Sequence, residues 1–135
     1  MFKLSKKAEY ALMAARYMAL NNHGQCISAK EISESYNISY ELLAKVLQNL
    51  VKMGIINSFQ GSKGGYNLSK KPEEISLTEL ISAVEKDYKI ISCYEESSTK
   101  DDCIHLNFCK IRDPLILVQQ KLDKVFQETK LVHII

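Results

Sequence analysis

Apolar and polar positions follow a helical spacing over the first part of the chain. Tyr10, Ala14, Tyr17 and Met18 lie on one side of an alanine-rich segment, which predicts a helix over residues 5–21.

A pattern typical of two consecutive helices comes next. Ser28 and Glu31 have the spacing of a capping box, which predicts a short helix that begins at Ala29 and runs to about Ser35. Ser39 is a second cap, for a helix over residues 40–53 whose apolar face is Leu43, Val46, Leu47 and Leu50.

The spacing then changes to that of strands. Residues 55–59 and 66–69 are strand candidates, and the turn between them is rich in glycine. They predict a β-hairpin with a flexible tip. This order of elements is typical of a winged helix-turn-helix: a helix, a short helix, a tight turn, a longer helix and then a hairpin, which is the wing.

The second half contains two more predicted helices. Ser76 caps a helix over residues 77–86, and Pro114 stands in the first turn of a long helix over residues 113–132. Residues 87–112 between them lack periodicity. Too little chain remains to bury the apolar stripe of the long helix, so we expect a partner helix to cover Leu115, Val118, Leu122, Val125 and Phe126.

These patterns predict a mainly α fold with a small β-hairpin wing. Residues 1–71 are predicted to form a winged helix-turn-helix DNA-binding domain. Residues 72–135 are predicted to hold a sensor loop, about residues 87–112, and a long C-terminal dimerisation helix.

Composition and charge narrow the class of protein. The chain has 135 residues, 25% charged and 46% hydrophobic, which fits one compact domain or a small domain with a helical extension. No apolar run approaches the ~18 residues of a membrane helix, and the opening residues do not form a secretory signal, so we expect a cytoplasmic protein with no membrane contact.

Residues 1–71 have a net charge of +6 and residues 72–135 of −4. This asymmetry favours a polyanionic partner for the first half, and chance clustering of solvated charges is the alternative.

The second helix of the predicted pair would enter the major groove with its first residues nearest the base edges. Ser39 and Tyr40 can contact phosphate or base, and Lys45 can contact phosphate or a guanine edge. Glu41 repels phosphate and accepts a hydrogen bond only from a cytosine amino group, so it can penalise wrong sequences. Alternatively, Glu41 faces solvent or pairs with Lys45.

The predicted wing tip combines small residues with one charge. Small residues let the backbone approach a phosphate or enter the minor groove, Lys63 supplies charge, and Gln60 can bond minor-groove acceptors. An ordinary flexible turn is the alternative. The full set of predicted DNA contacts is Ser28, Lys30, Ser39, Tyr40, Glu41, Lys45, Gln60, Ser62, Lys63, Gly64 and Tyr66.

Three of the four cysteines, Cys93, Cys103 and Cys109, fall within seventeen residues. In a reducing compartment such a cluster favours metal or redox chemistry over structural disulfides. A zinc site with His105, a redox disulfide and passive thiols remain alternatives. We expect no role for Cys26. No catalytic triad, phosphate loop or paired-carboxylate site is visible, so we do not expect an enzyme.

A series of motifs runs along nearly the whole chain. It comprises Leu4-Ser5 and Glu9-Tyr10-Ala11-Leu12, Ile38-Ser39 with Leu42-Leu43, Gly64-Gly65-Tyr66-Asn67-Leu68, residues 74–81 and 83–85, the cysteine trio, and Glu128-Thr129-Lys130-Leu131. In this combination the chain resembles the IscR/NsrR (Rrf-two) family of bacterial winged-helix transcription regulators.

The resemblance implies a homodimer with crossing C-terminal helices that binds a palindromic operator in double-stranded DNA. It often implies an iron–sulfur cluster, of the 2Fe-2S or 4Fe-4S type, on three cysteines that correspond here to Cys93, Cys103 and Cys109. Five residues usually separate each pair, whereas nine separate Cys93 from Cys103 in this chain. A longer loop can still close, because the entropy of loop closure grows slowly with length.

The fourth ligand differs among the members that the chain resembles. Some use a histidine at the position of Arg112, which removes that ligand here. Others use an acidic residue that corresponds to Glu9 of the partner subunit, and His105 is a local alternative.

The resemblance therefore implies a repressor whose DNA affinity responds to nitric oxide, iron, iron–sulfur status or redox stress through the cluster. Some members lack a cluster and respond through a partner protein or thiol oxidation, which is the alternative for this chain.

Overall fold

A computed structural model describes residues 3–21, 25–85 and 112–135. Within these ranges the chain forms five α-helices and one two-stranded sheet: α1 (Lys6–Leu20), α2 (Ala29–Tyr36), α3 (Tyr40–Lys52), β1 (Ile56–Phe59), β2 (Gly65–Leu68), α4 (Leu77–Val84) and α5 (Arg112–Glu128). The expected mainly α fold with a β-hairpin wing is confirmed. None of the helices in the described part of the chain is long and apolar enough to cross a membrane.

Serine caps determine where the helices begin. Each of the first four helices follows a serine whose hydroxyl accepts a backbone N–H three residues later, namely Ser5 from Ala8, Ser28 from Glu31, Ser39 from Leu42 and Ser76 from Glu79. The turn between α2 and α3 is tight because Asn37 takes the left-handed conformation (φ 52°, ψ 53°), which asparagine tolerates better than most residues.

The wing is joined to the helix-turn-helix by a third extended segment. β1 and β2 pair antiparallel, with Ile56 opposite Leu68 and Phe59 opposite Gly65. Ile27, just before α2, forms a bridge with Tyr66 through two backbone hydrogen bonds of 2.9 and 2.8 Å. These two hydrogen bonds tie the start of α2 to the wing.

One hydrophobic core spans both halves of the described chain. Four buried alanines of α1 (Ala8, Ala11, Ala14 and Ala15) let α3 and α4 approach closely. Leu80 and Ile81 of α4, together with Leu131, belong to the same core cluster as Leu43 and Leu47 of α3. The core thus continues across the position between residues 71 and 72 where the DNA-binding part was predicted to end.

The C-terminal helix is shorter than predicted. It ends at Glu128 rather than residue 132, because the next residues pair with the segment before α4. Leu77 N–H donates to the Thr129 carbonyl at 2.9 Å, and Leu131 N–H donates to the Ile75 carbonyl at 2.7 Å. Leu131, fully buried, begins a 3-10 turn (Leu131–Ile134), and Arg16 Nε of α1 donates to the Ile134 carbonyl at 3.1 Å.

The apolar stripe of α5 divides into two faces. Phe126 packs against the core, and Leu115 and Leu122 are half-buried. Val118 and Val125, seven residues apart and so on one side of the helix, are 51% and 55% exposed. Part of the predicted dimerisation stripe therefore already packs within the chain, and the outward part is centred on Val118 and Val125.

Candidate nucleic-acid interface

The start of α3 presents polar side chains away from the core. Its buried face is Leu43, Val46, Leu47 and Leu50. Ser39, Glu41 and Lys45 are exposed, and Tyr40 is 54% exposed. Glu41 and Lys45, both within the described residues, form no ion pair with each other. The alternative prediction that Glu41 pairs with Lys45 is therefore wrong in this structure, and both charges are available to a ligand.

Two tyrosines of α1 hold the helix-turn-helix in place. Tyr10 Oη accepts a hydrogen bond from the backbone N–H of Ser39 at 3.4 Å, and Ser35 Oγ donates to Tyr17 Oη at 3.3 Å. The Tyr17 ring also meets that of Tyr36 edge to face, with 5.8 Å between centroids. The first turn of α3 is therefore fixed from outside by α1 and from inside by its own cap.

The wing tip is exposed, and the two glycines behind it are required by close backbone approaches. A Cβ on Gly64 would overlap the Phe59 carbonyl. A Cβ on Gly65 (φ 143°) would lie 2.7 Å from the Ile27 carbonyl oxygen. Neither position can carry a side chain without moving the backbone. Gly64 thus shapes the tip, whereas Gln60, Ser62 and Lys63 are exposed upon it.

A cleft of about 490 Å³ separates the wing tip from the start of α2. It brings together four of the predicted DNA contacts, Ser28 with Ser62, Lys63 and Gly64, and adds Gln25, Cys26 and Glu31 to them. Sequence reasoning missed the last three as neighbours of the wing, because the pairing of Ile27 with Tyr66 that brings them there has no local sequence signal. Lys30 is exposed on α2 but does not line this cleft.

Tyr66 is placed differently from the other predicted DNA contacts. It is half-buried, packs against the core and pairs with Ile27 through its backbone. This position anchors the wing, and contact of its side chain with DNA stays a prediction.

The predicted metal ligands fall mostly outside the described ranges. Four of them lie outside the residues that the structure describes, namely Cys93, Cys103, Cys109 and the alternative ligand His105. Glu9 is half-buried on α1 and pairs with Lys6 at 3.4 Å. Within residues 3–21, 25–85 and 112–135, no group of three or more potential ligands is placed to hold a metal ion. Cys26 is a half-buried free thiol.

These elements define a winged helix-turn-helix protein with a C-terminal helix. Over residues 4–135 the chain matches the Rrf2 family, described as "Iron-dependent Transcriptional regulator". It belongs to this family, the Rrf-two family that its motifs resemble.

Curated relatives and solved structures agree with this assignment. The HTH-type transcriptional regulator NsrR of Bacillus licheniformis is 32% identical over 113 residues, which cover 84% of this chain and 78% of the relative. NsrR of Oceanobacillus iheyensis is 30% identical over 132 residues, 98% of this chain and 88% of the relative. The oxidized form of Staphylococcus aureus CymR is similar in structure, with a TM-score of 0.74, 28% identity and coverage of 98% and 94% of the two chains. The IscR of T. potens shares the fold, with a TM-score of 0.75, 23% identity and coverage of 98% and 85%.

The chain is therefore a transcriptional regulator and not an enzyme, as expected from the sequence. DNA binding is the activity of such regulators, and it agrees with the exposed start of α3 and the exposed wing tip.

Proposed function

We propose that the chain is a homodimeric repressor that binds a palindromic operator and whose DNA affinity is controlled by an iron–sulfur cluster on its three-cysteine loop. The observation that carries the DNA-binding part is the exposure of Ser39, Tyr40, Glu41 and Lys45 at the start of α3, where neither Glu41 nor Lys45 forms an ion pair within the described residues. As a regulator of bacterial transcription it would act in the cytoplasm, where the DNA is.

In this proposal α3 enters the major groove. Lys45 contacts a guanine edge or a phosphate, and Ser39 and Tyr40 contact base or phosphate. On the operator, Glu41 accepts a hydrogen bond from a cytosine amino group. On other sequences, its carboxylate faces base acceptors with which it cannot form a hydrogen bond. Its charge raises the cost of wrong sequences and so contributes to specificity.

The wing and the start of α2 bind the DNA backbone. Lys63 and Ser62 face Ser28 across the cleft, and all three side chains are exposed. Lys63 attracts the phosphate, Ser28 and Ser62 donate hydroxyl hydrogen bonds, and Gln60 reaches minor-groove acceptors beside them. Lys30, in the first turn of α2 and two residues after Ser28, adds a further positive charge.

A second copy of the chain would cover the outward face of α5. Val118 and Val125 lie on one side of that helix and are about half exposed, which is costly for aliphatic side chains in water. Leu115, Leu122 and Phe126 border them from the inward side. A dimer of this kind places two α3 helices on half-sites about 34 Å, one helical turn, apart.

The cluster would be held by Cys93, Cys103 and Cys109, whose thiolates are standard ligands of iron–sulfur clusters. Support comes from the description of the family as iron-dependent and from relatives named NsrR. Glu9 of the partner subunit is the proposed fourth ligand. In this chain Glu9 pairs with Lys6 in an exposed salt bridge, a weak interaction that a metal can displace. The cluster supplies a group whose loss, oxidation or nitrosylation changes the charge and shape of the loop.

A change at the loop can reach α3 through contacts in the described chain. α5 begins at Arg112, directly after the loop, and the chain beyond α5 is bonded to Ile75 and Leu77. Arg16 ties the same C-terminal residues to α1, and Tyr10 of α1 touches the start of α3. This contiguous set of contacts is the proposed route by which the loop alters the spacing of the two α3 helices.

Thiol control without a cluster is the second candidate. It is favoured by the likeness to Staphylococcus aureus CymR, of which an oxidized form is known, at 28% identity over 98% of this chain. In this case Cys93, Cys103 or Cys109 would be oxidised directly, or a partner protein would bind the loop region.

Iron and acid-labile sulfide per chain distinguish the two candidates. After purification without oxygen, the cluster proposal expects stoichiometric iron and sulfide with visible absorption, all lost in Cys109→Ala. Cys26→Ala is the control, because Cys26 lies by the wing and should not affect the metal content. Iron, sulfide and zinc all absent from the wild-type protein would contradict the cluster and favour thiol control.

The DNA-binding part is tested through the wing. Lys63→Gln should weaken binding to all duplexes and lower the slope of log K against log salt by about 0.9, the value for one lost phosphate contact. Lys124→Gln removes the same charge from a side chain of α5 that is 74% exposed, and should leave the slope unchanged. Equal slopes in the wild-type protein, Lys63→Gln and Lys124→Gln would show that Lys63 does not contact phosphate.

A further inference from the structure

A second basic patch lies at the start of α1, outside every DNA contact predicted from the sequence. Lys3, Lys6 and Lys7 fall within five residues, and all three are exposed. Glu9 partly neutralises Lys6 through a salt bridge of 3.4 Å, in which the lysine side chain remains 72% exposed. Lys7 forms no ion pair with any residue that the structure describes. The patch therefore keeps a positive charge with no protein partner to account for it.

The fold places this patch next to the start of α3. Tyr10 of α1 accepts a hydrogen bond from the backbone N–H of Ser39, the cap of α3. Lys6 and Lys7 precede Tyr10 by four and three residues, so they lie on the same side of α1 as Tyr10. Helical side chains lean toward the N-terminus, so both lysines extend from Tyr10 toward the N-terminal end of α1.

We infer that the α1 patch binds the phosphodiester backbone beside the major groove that α3 enters, with Lys7 as its main contact. The major groove is about 12 Å wide, so a helix whose first turn enters it has phosphates close on either side. A flexible side chain with a compact charge suits phosphate better than a base edge, because it needs no fixed geometry. The inference rests on the proposed DNA binding and adds α1 to α3 and the wing as a third contacting element.

Salt-dependent binding to a mixed-sequence duplex tests the inference on the full-length protein. Lys7→Gln should bind more weakly, with a slope of log K against log salt that is shallower by about 0.9. Lys3→Gln combined with Lys7→Gln should lower the slope further, by up to about 1.8 in total. Lys124→Gln serves again as the matched control, and circular dichroism checks that each variant is folded.

Each outcome bears on the inference. An unchanged slope in both lysine variants, with a lowered slope in Lys63→Gln, would overturn the α1 contact and leave the proposed function standing. Wild-type protein without salt-dependent binding would overturn both. The ratio of operator to mixed-sequence affinity should stay constant in Lys7→Gln, because phosphates carry no sequence information. A clear fall in that ratio would show that Lys7 reads bases, contrary to the inference.

Discussion

At the scale of single residues, the interface divides into side chains that can reach DNA and side chains that hold the backbone in place. Lys63 and Gln60 are exposed on the wing tip, whereas Gly64 and Gly65 are fixed by neighbouring carbonyls and Tyr66 packs against the core. The sequence placed Gln60 and Lys63 at the turn of the hairpin, because charge and small turn residues are local properties, and their contact with DNA stays a prediction. It could not indicate that Tyr66 packs against the core and pairs with Ile27, because Ile27 lies about forty residues away in the chain. Contact of the Tyr66 side chain with DNA stays a prediction.

Gly65→Ala should destabilise the protein and loosen the wing. The left-handed backbone alone costs an alanine about 1–2 kcal/mol, and the added Cβ would also press on the Ile27 carbonyl. Gly61→Ala is the matched control, since Gly61 also has positive φ (103°) but open space around its Cβ position. Urea unfolding should give a larger loss for Gly65→Ala than for Gly61→Ala. Equal losses would mean that the contact with Ile27 does not constrain the wing.

Glu41→Gln should relax sequence specificity. Removing the negative charge lowers repulsion from the phosphates, so affinity for mixed-sequence DNA should rise, while the operator loses one directional contact. We expect the ratio of operator affinity to mixed-sequence affinity to fall about fivefold or more, which corresponds to about 1 kcal/mol. Glu73→Gln, an exposed acid in the turn before α4, is the control. Fluorescence anisotropy with both duplexes measures the ratio, and a ratio equal to that of the wild type would remove Glu41 from recognition.

At the scale of elements, local sequence signals predicted where the helices lie. They could not predict the features that depend on pairing between distant parts of the chain. Ser28, Ser39 and Ser76 marked the starts of α2, α3 and α4 in the sequence, because capping depends on neighbouring residues. The end of α5 could not be read in this way. Its helical pattern continues beyond Glu128, but pairing with Ile75 and Leu77 draws the chain out of the helix.

Leu131→Ala should test whether these C-terminal residues secure the fold. Leu131 is fully buried in the common core, and truncating such a leucine costs about 2–5 kcal/mol. Val132→Ala, at a 36% exposed neighbour, should cost less than about 1 kcal/mol. Thermal or urea unfolding compares the two variants. Similar small losses in both would show that residues 129–135 do not bind firmly to the segment before α4.

At the scale of the whole molecule, the proposed regulator depends on assembly as well as on the single chain. Its core joins the predicted DNA-binding half to α4 and to the residues after α5, and these contacts form the proposed path from α5 to the elements that hold α3. The sequence predicted a covering partner for the stripe on α5. Only the three-dimensional packing separates the inward residue Phe126 from the outward residues Val118 and Val125.

Val125→Glu should convert the proposed dimer into monomers with little effect on the fold, since the Val125 side chain is 55% exposed in the single chain. Leu122 is half-buried, so a charge there would also disturb the chain's own packing. Gln127→Glu adds the same charge at another exposed position of α5 and should remain dimeric. Sedimentation equilibrium measures the association state. A dimeric Val125→Glu protein would place the interface elsewhere, and a monomeric wild-type protein would contradict the homodimer.

Control of DNA affinity by the three-cysteine loop is the central proposal, and one titration tests it most directly. The operator, obtained by selection from a randomised duplex pool, is titrated with protein prepared without oxygen and with the same protein after exposure to air. We predict affinities that differ by about tenfold or more, a coupling of about 1.4 kcal/mol, and a Cys109→Ala protein whose affinity no longer changes. Equal affinities of the wild-type protein in the two states would contradict the account.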